Sequence, residues 1–132
     1  MENLWPTLDA KEISGPLTIL KEQGQYLQRM TKGVLKYDID SKIGKAIKPS
    51  QISVRIDFYI HAPFLDDYKF LLFYITHAFI EMYPLKIVYI KTEKRISMTV
   101  KDDEEFKTTL KELLGSEYTI NVLKGLLRQI QK

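Results

Sequence analysis

Cysteine is missing from the whole chain. Its absence excludes a disulfide framework, a thiolate zinc site and a cysteine nucleophile. A chain without disulfides fits a reducing compartment, so a cytoplasmic location is the expectation. Long hydrophobic runs are missing as well. The most apolar window, Phe70 to Ile80, is interrupted by Thr76 and His77. It falls short of the roughly 18 uninterrupted apolar residues a membrane span requires, and no membrane partner is expected. The opening, MENLWPTLDAKE, is acidic, carries Pro6 and lacks an apolar segment, which argues against a secretory signal. An excess of one charge is also lacking: 20 Lys and Arg stand against 17 Asp and Glu, a net charge of +3. The basic residues are scattered, whereas nucleic-acid binders gather them into a stripe or helix. No GxSxG, P-loop, GxGxxG or HExxH occurs, so no catalytic residue, metal-ligand set or cofactor is assigned.

What is present is the material of one ordinary domain. The 132 residues, 45% hydrophobic and 28% charged, read as a single globular unit over 1–132 that builds its core without staples. Residues 1–13 form an irregular lead-in, with Leu4, Trp5 and Leu8 available to pin it to the body. Between Gln51 and Val100 lie four runs rich in Ile, Val, Phe and Tyr, each about strand length and bounded by turn signals. A fifth, Val34 to Ile43, alternates Leu35, Tyr37, Ile39 and Ile43 with Lys36, Asp38, Asp40 and Lys42.

Ahead of these strands, Ser14-Gly15-Pro16 starts a helix, since proline suits the first helical position. Leu17, Leu20, Leu27 and Met30 share a face with Gln23 and Gly24, and Gly33 fits the left-handed position after the helix end. Gly24 in mid-helix costs up to about 1 kcal/mol against alanine, which a close approach to the sheet would justify. GKAIKPS is a loop. Gln51 to His61 is the most regular strand, ended by Ala62-Pro63.

Residues 66–83 support two readings. Tyr68, Leu71, Leu72, Ile75, Phe79 and Met82 make a helical stripe. Enrichment in Phe, Tyr and Ile favours a central strand over Tyr68 to Thr76. A bend near Ala78 to Glu81 then leads into a strand from Met82 to Ile90. Lys91 to Lys94 is a hairpin loop, and Arg95 to Lys101 the last strand. Asp102 or Asp103 caps a helix whose buried face is Phe106, Leu110, Leu113 and Leu114. After Gly115 a final helix presents Ile120, Leu123, Leu126, Leu127 and Ile130. The fold class is therefore α+β: an N-terminal helix, an antiparallel meander of about five strands and two C-terminal helices.

The segments PLTILKEQGQYLQRMTKG and VLKYDI, with ITHAFIEMYPLKI and DDEEFKTTLKELLGSE further on, resemble a group of small uncharacterised bacterial α+β proteins with no assigned activity. The likeness spans Pro16 to Lys132. It implies the same element order and a strand ending near Thr76-His77, and carries no functional residue over.

Few side chains stand out as candidate sites. His61 and His77 are the two histidines. They end neighbouring strands of opposite direction, so they are expected at opposite ends of the pair and share no metal. His77 with Glu81 is a local pair, either a base with its orienting carboxylate or a two-ligand metal fragment. The plainer reading, favoured here, has His77 capping the bend. Gln23 on an apolar face either lines a pocket or, as favoured, is a buried amide bonded to strand-end backbone. Tyr37, Tyr59, Tyr74, Tyr83 and Tyr89, interleaved with Arg55, Lys69, Lys86 and Arg95, would make a stacking surface for single-stranded nucleic acid if they shared a sheet face. The same residues suit a protein interface. The binding candidates are thus Gln23, Arg55, Tyr59, His77, Glu81, Tyr83 and Arg95.

The leading expectation is a small non-enzymatic bacterial binding or accessory protein that acts through protein–protein contact at an exposed sheet face or edge. A nucleic-acid-binding module on a Tyr/Arg/Lys sheet face is the alternative. A small enzyme or ligand-binding domain with a pocket by the first helix, around Gln23 and His77, is third. An open sheet leaves two edges to manage, so a homo-oligomer is also anticipated, with the charges of the first strand guarding one edge.

Overall fold

The computed structural model describes residues 1–9, 13–44 and 52–130. Helix α1 (Pro16–Met30) leads into β1 (Lys36–Gly44), β2 (Ser53–Ala62), β3 (Tyr68–Ala78), β4 (Leu85–Lys91) and β5 (Lys94–Val100). Helices α2 (Asp103–Leu114) and α3 (Glu117–Ile130) follow. The strands form one antiparallel sheet in the order β1-β2-β3-β4-β5. The fold is the α+β meander that the alternation of its strands implies, with Tyr68–Ala78 as the middle strand. Among the described residues no helix is long and apolar enough to cross a membrane. Of the expected GKAIKPS loop, Gly44 belongs to β1, and residues 45–50 with the expected strand start at Gln51 lie outside the described residues.

Helix α1 begins where proline allows it, at Pro16 after the N-cap Gly15. It ends through Thr31, whose hydroxyl donates to the Leu27 carbonyl and accepts from the Leu35 N–H. Gly33 then takes a left-handed φ of 80°, so the chain reverses into β1. The buried face of α1 is Ile19, Leu20 and Gly24. Gly24 lies against the Tyr37 ring, so close that a Cβ there would overlap it. Of the apolar face expected for α1, Met30 is 67% exposed and Leu17 36%.

The core lies on one face of the sheet, where Ile56, Phe58 and Ile60 of β2 meet Phe73, Ile75, Ile87, Tyr89 and Val100, capped by Leu20, Phe106, Leu110 and Leu113. A register shift after Phe58 pairs Phe58 with Phe73 but Tyr59 with Leu71. This bulge turns both Leu72 and its neighbour Phe73 inward. Strand β4 starts at Leu85 rather than at the expected Met82, because Pro84 has no N–H for the ladder. Asp102 caps α2, its carboxylate accepting from the Glu105 N–H at 2.8 Å.

Two expectations are corrected. Leu4, Trp5 and Leu8 do not pin the lead-in, since Trp5 is 83% exposed and its neighbours are similarly open. The face expected for α3 is only half-buried, and Ile120 is exposed. The reason is where α3 is tied down. Thr119, its fully buried residue, donates to the Leu113 carbonyl at 2.8 Å and receives the Tyr89 hydroxyl at 2.9 Å. Ser116 also meets the Tyr89 hydroxyl, at 2.9 Å. These bonds hold the first turn and leave the rest of α3 packed by one side.

Candidate functional site

The helices do not close over the sheet. Helix α1 packs on β1, whereas α2 returns from β5 and packs beside it. Between them a groove of about 850 Å³ opens above the middle strands. Its floor is Phe58, Ile60 and the bulge residue Leu72. One wall is α1, with Ile19, Gln23, Tyr26, Leu27 and Met30; the other is α2 and the start of α3, with Leu110, Leu114 and Leu123. The mouth carries Arg29, Lys107 and Lys111, and no acidic residue lines the groove. A mostly apolar concavity of this size with few polar groups has the character of a small-molecule site.

Gln23 belongs to this groove. Its side chain is half-buried and makes no hydrogen bond among the described residues, so the expected bond to strand-end backbone is not made. It is the neutral polar side chain of the α1 wall. Thr119 also touches the groove, but its hydroxyl is committed to Leu113 and Tyr89.

His77 is elsewhere. It pairs with Val54, at the far end of β2–β3 from Ile60 on the groove floor, and the pocket expected around both Gln23 and His77 is corrected to one around Gln23 alone. The His77 Nδ1 lies 2.7 Å from the Ala78 carbonyl, the geometry of a bend cap. Glu81 is exposed and makes no hydrogen bond or ion pair with His77 among the described residues. His61 pairs with Lys69 at the other end of the hairpin, and its Nε2 is 3.1 Å from Asp67. No group of His, Asp and Glu among the described residues could hold a metal ion.

The other named candidates divide between the open sheet face and a clasp. Arg55 donates to the nearly inaccessible Asp57 carboxylate at 2.7 Å and stacks 3.7 Å from the Tyr74 ring centre. The Tyr59 hydroxyl reaches the second Asp57 oxygen at 3.4 Å. Lys69 spans to Asp38 at 2.6 Å, and this hydrogen bond, then the carboxylate's charge, raises its ammonium above the ordinary value. Arg95, exposed on the edge strand β5, pairs with Ile90 and joins none of these. Tyr83 donates to the Asp103 carboxylate and clasps the β3–β4 connection to the start of α2. Burial first, then this bond and the charge of Asp103, hold its phenol well above the ordinary range.

The tyrosines therefore do not assemble into one platform. Tyr37 and Tyr89 face the core, Tyr83 is clasped, and Tyr74 lies buried beneath Arg55. Tyr59 alone of the five is left partly open on the outer face. The residues that sequence reasoning missed are the groove's own cations, Arg29, Lys107 and Lys111. The signal the sequence holds is the four-residue spacing of Lys107 and Lys111 on α2; Arg29 on α1 has none. Comparison with protein-family models, with curated proteins and with solved structures finds no match for this chain.

Proposed function

We propose that this chain is a small binding protein whose working site is the groove between α1 and the α2–α3 hairpin, and that the groove takes an elongated apolar small molecule. The observation that carries this reading is a trough of about 850 Å³ that reaches down to the core residues Phe58, Ile60 and Leu72 within a domain of only 132 residues. A folded domain closes its core to native density unless something else fills the space. The half-buried apolar face of α3 supports it, because a wall hydrogen-bonded to the sheet only at its first turn and packed by one side can move to admit a ligand.

The neutral fluorophore N-phenyl-1-naphthylamine tests the reading. Its emission is expected to rise and saturate on titration with the protein. Leu114→Trp, which fills the groove, is expected to lower the affinity about tenfold or more while circular dichroism stays native. No saturable signal, or a signal the plug does not change, contradicts the reading.

A second reading, contact with another protein through the open sheet face, is supported by the Arg55–Tyr74 stack beside Tyr59, since arginine and tyrosine are enriched at interfaces. Loss of a co-purifying partner in Arg55→Ala/Tyr59→Ala, with the groove probe still bound, would favour it.

A further inference from the structure

Three cations stand at the mouth of the groove with no carboxylate among them. Lys107 and Lys111 lie one turn apart on α2, and Arg29 ends the opposite wall. Among the described residues none of the three makes an ion pair. Acidic residues are near: Glu105 pairs with Lys101 and Asp103 takes the Tyr83 hydroxyl, while Glu104 and Glu112 on α2 form no ion pair with either lysine among the described residues. Like charges one turn apart on a helix repel, so an anion bound between them relieves an existing cost. Arg29 is steadied at the rim, its guanidinium 5.2 Å from the Tyr26 ring centre. Below the cations the trough is apolar.

Resting on the groove being a ligand site, we infer that its ligand is a single-chain alkyl carboxylate, its head held by Lys107, Lys111 and Arg29 and its chain laid on Phe58 and Ile60. The two halves of such a molecule match the two halves of the groove. Charge-assisted hydrogen bonds to ammonium and guanidinium suit the head, and burial of methylenes suits the chain. Gln23, with no hydrogen bond among the described residues, offers an amide donor on the α1 wall. The size also fits one small molecule, since a trough of about 850 Å³ lies within the range of ligand pockets.

The experiment is displacement of N-phenyl-1-naphthylamine by dodecanoate, dodecan-1-ol and dodecyltrimethylammonium, each below its micelle concentration. Dodecanoate is expected to displace the probe at about one-tenth the concentration dodecanol needs, with the cation weakest. Lys107→Gln/Lys111→Gln is expected to remove that advantage and Lys107→Arg/Lys111→Arg to keep it. Both lysines are exposed, so the fold should survive. Equal displacement by dodecanoate and dodecanol overturns the inference about the head and leaves the groove reading standing. Failure of the probe to bind at all overturns both. A dimer that excludes the probe and that dodecanoate does not dissociate assigns the groove to a second copy, and also overturns the proposal.

Discussion

Gly24 of α1 is seated against the ring of Tyr37 in β1, with no room between them for a methyl group. The contact sets how deeply α1 settles on the sheet, and so the position of the wall that carries Gln23 and Leu27. Gly24→Ala should therefore destabilise the fold even though alanine is the better helix former by about 1 kcal/mol. Overpacking of this kind costs about 1–3 kcal/mol, because the obstructing atoms include the root of the ring and not a flexible tip. A net loss of up to about 2 kcal/mol in urea unfolding is expected, much of it recovered in Gly24→Ala/Tyr37→Leu. A gain in stability from the single change would show that α1 is not held by this contact.

The clasp between Tyr83 and Asp103 predicts an alkaline effect. The folded state keeps the phenol protonated above the ordinary tyrosine value of 10.0. Above that pH the unfolded chain has lost this proton while the folded chain retains it. Stability from this residue is thus intact below about pH 10 and declines as pH rises beyond it. Tyr83→Phe should lose about 1 kcal/mol at neutral pH and show a shallower decline above pH 10 than the wild type. Parallel curves would remove Tyr83 from the account.

Thr119 predicts how α3 is held. Thr119→Val keeps the shape but removes one partner each from the Tyr89 hydroxyl and the Leu113 carbonyl, both of which still meet Ser116. A cost of about 1 kcal/mol is expected. Hydrogen exchange of α3 amides should speed up more than that of β2 or β3, since α3 is tied to the sheet through this first turn. Uniform acceleration would mean that α3 and the sheet open together.

The open face and the groove should be separable. Arg55→Ala deprives Asp57, 2% exposed, of its cation. About 1–3 kcal/mol of stability should be lost for the unpartnered carboxylate oxygen. Binding in the groove should be unchanged, because Arg55 is on the other side of the sheet. A parallel fall in probe affinity would show the two faces to be coupled.

Much of the fold was legible because period-2 alternation is a local signal. Lys36–Gly44 and Ser53–Ala62 announce themselves by it, and Gly24 in mid-helix pointed to a close approach that Tyr37 provides. Tyr68–Ala78 was harder, since a strand buried on both faces lacks alternation and its bulge at Leu71–Leu72 shifts the period. The groove was nearly illegible. It exists because α1 settles by β1 and α2 by β5, touching each other yet leaving a trough above the middle strands, a tertiary fact that no window of sequence encodes. Gln23 was visible as a polar residue on an apolar face. Lys107 and Lys111 carry only their four-residue spacing as a sequence signal, and what marks them out is their place on the groove with no ion pair among the described residues.

The most direct measurement is a two-dimensional ¹H–¹⁵N spectrum of the protein titrated with N-phenyl-1-naphthylamine. The account predicts saturable shifts at Gln23, Leu27, Leu110, Leu114 and Leu123, on the two walls of the groove, with Tyr59, Thr76 and Ser97 on the open face unmoved. Shifts centred on the open face, or none that saturate, would contradict it.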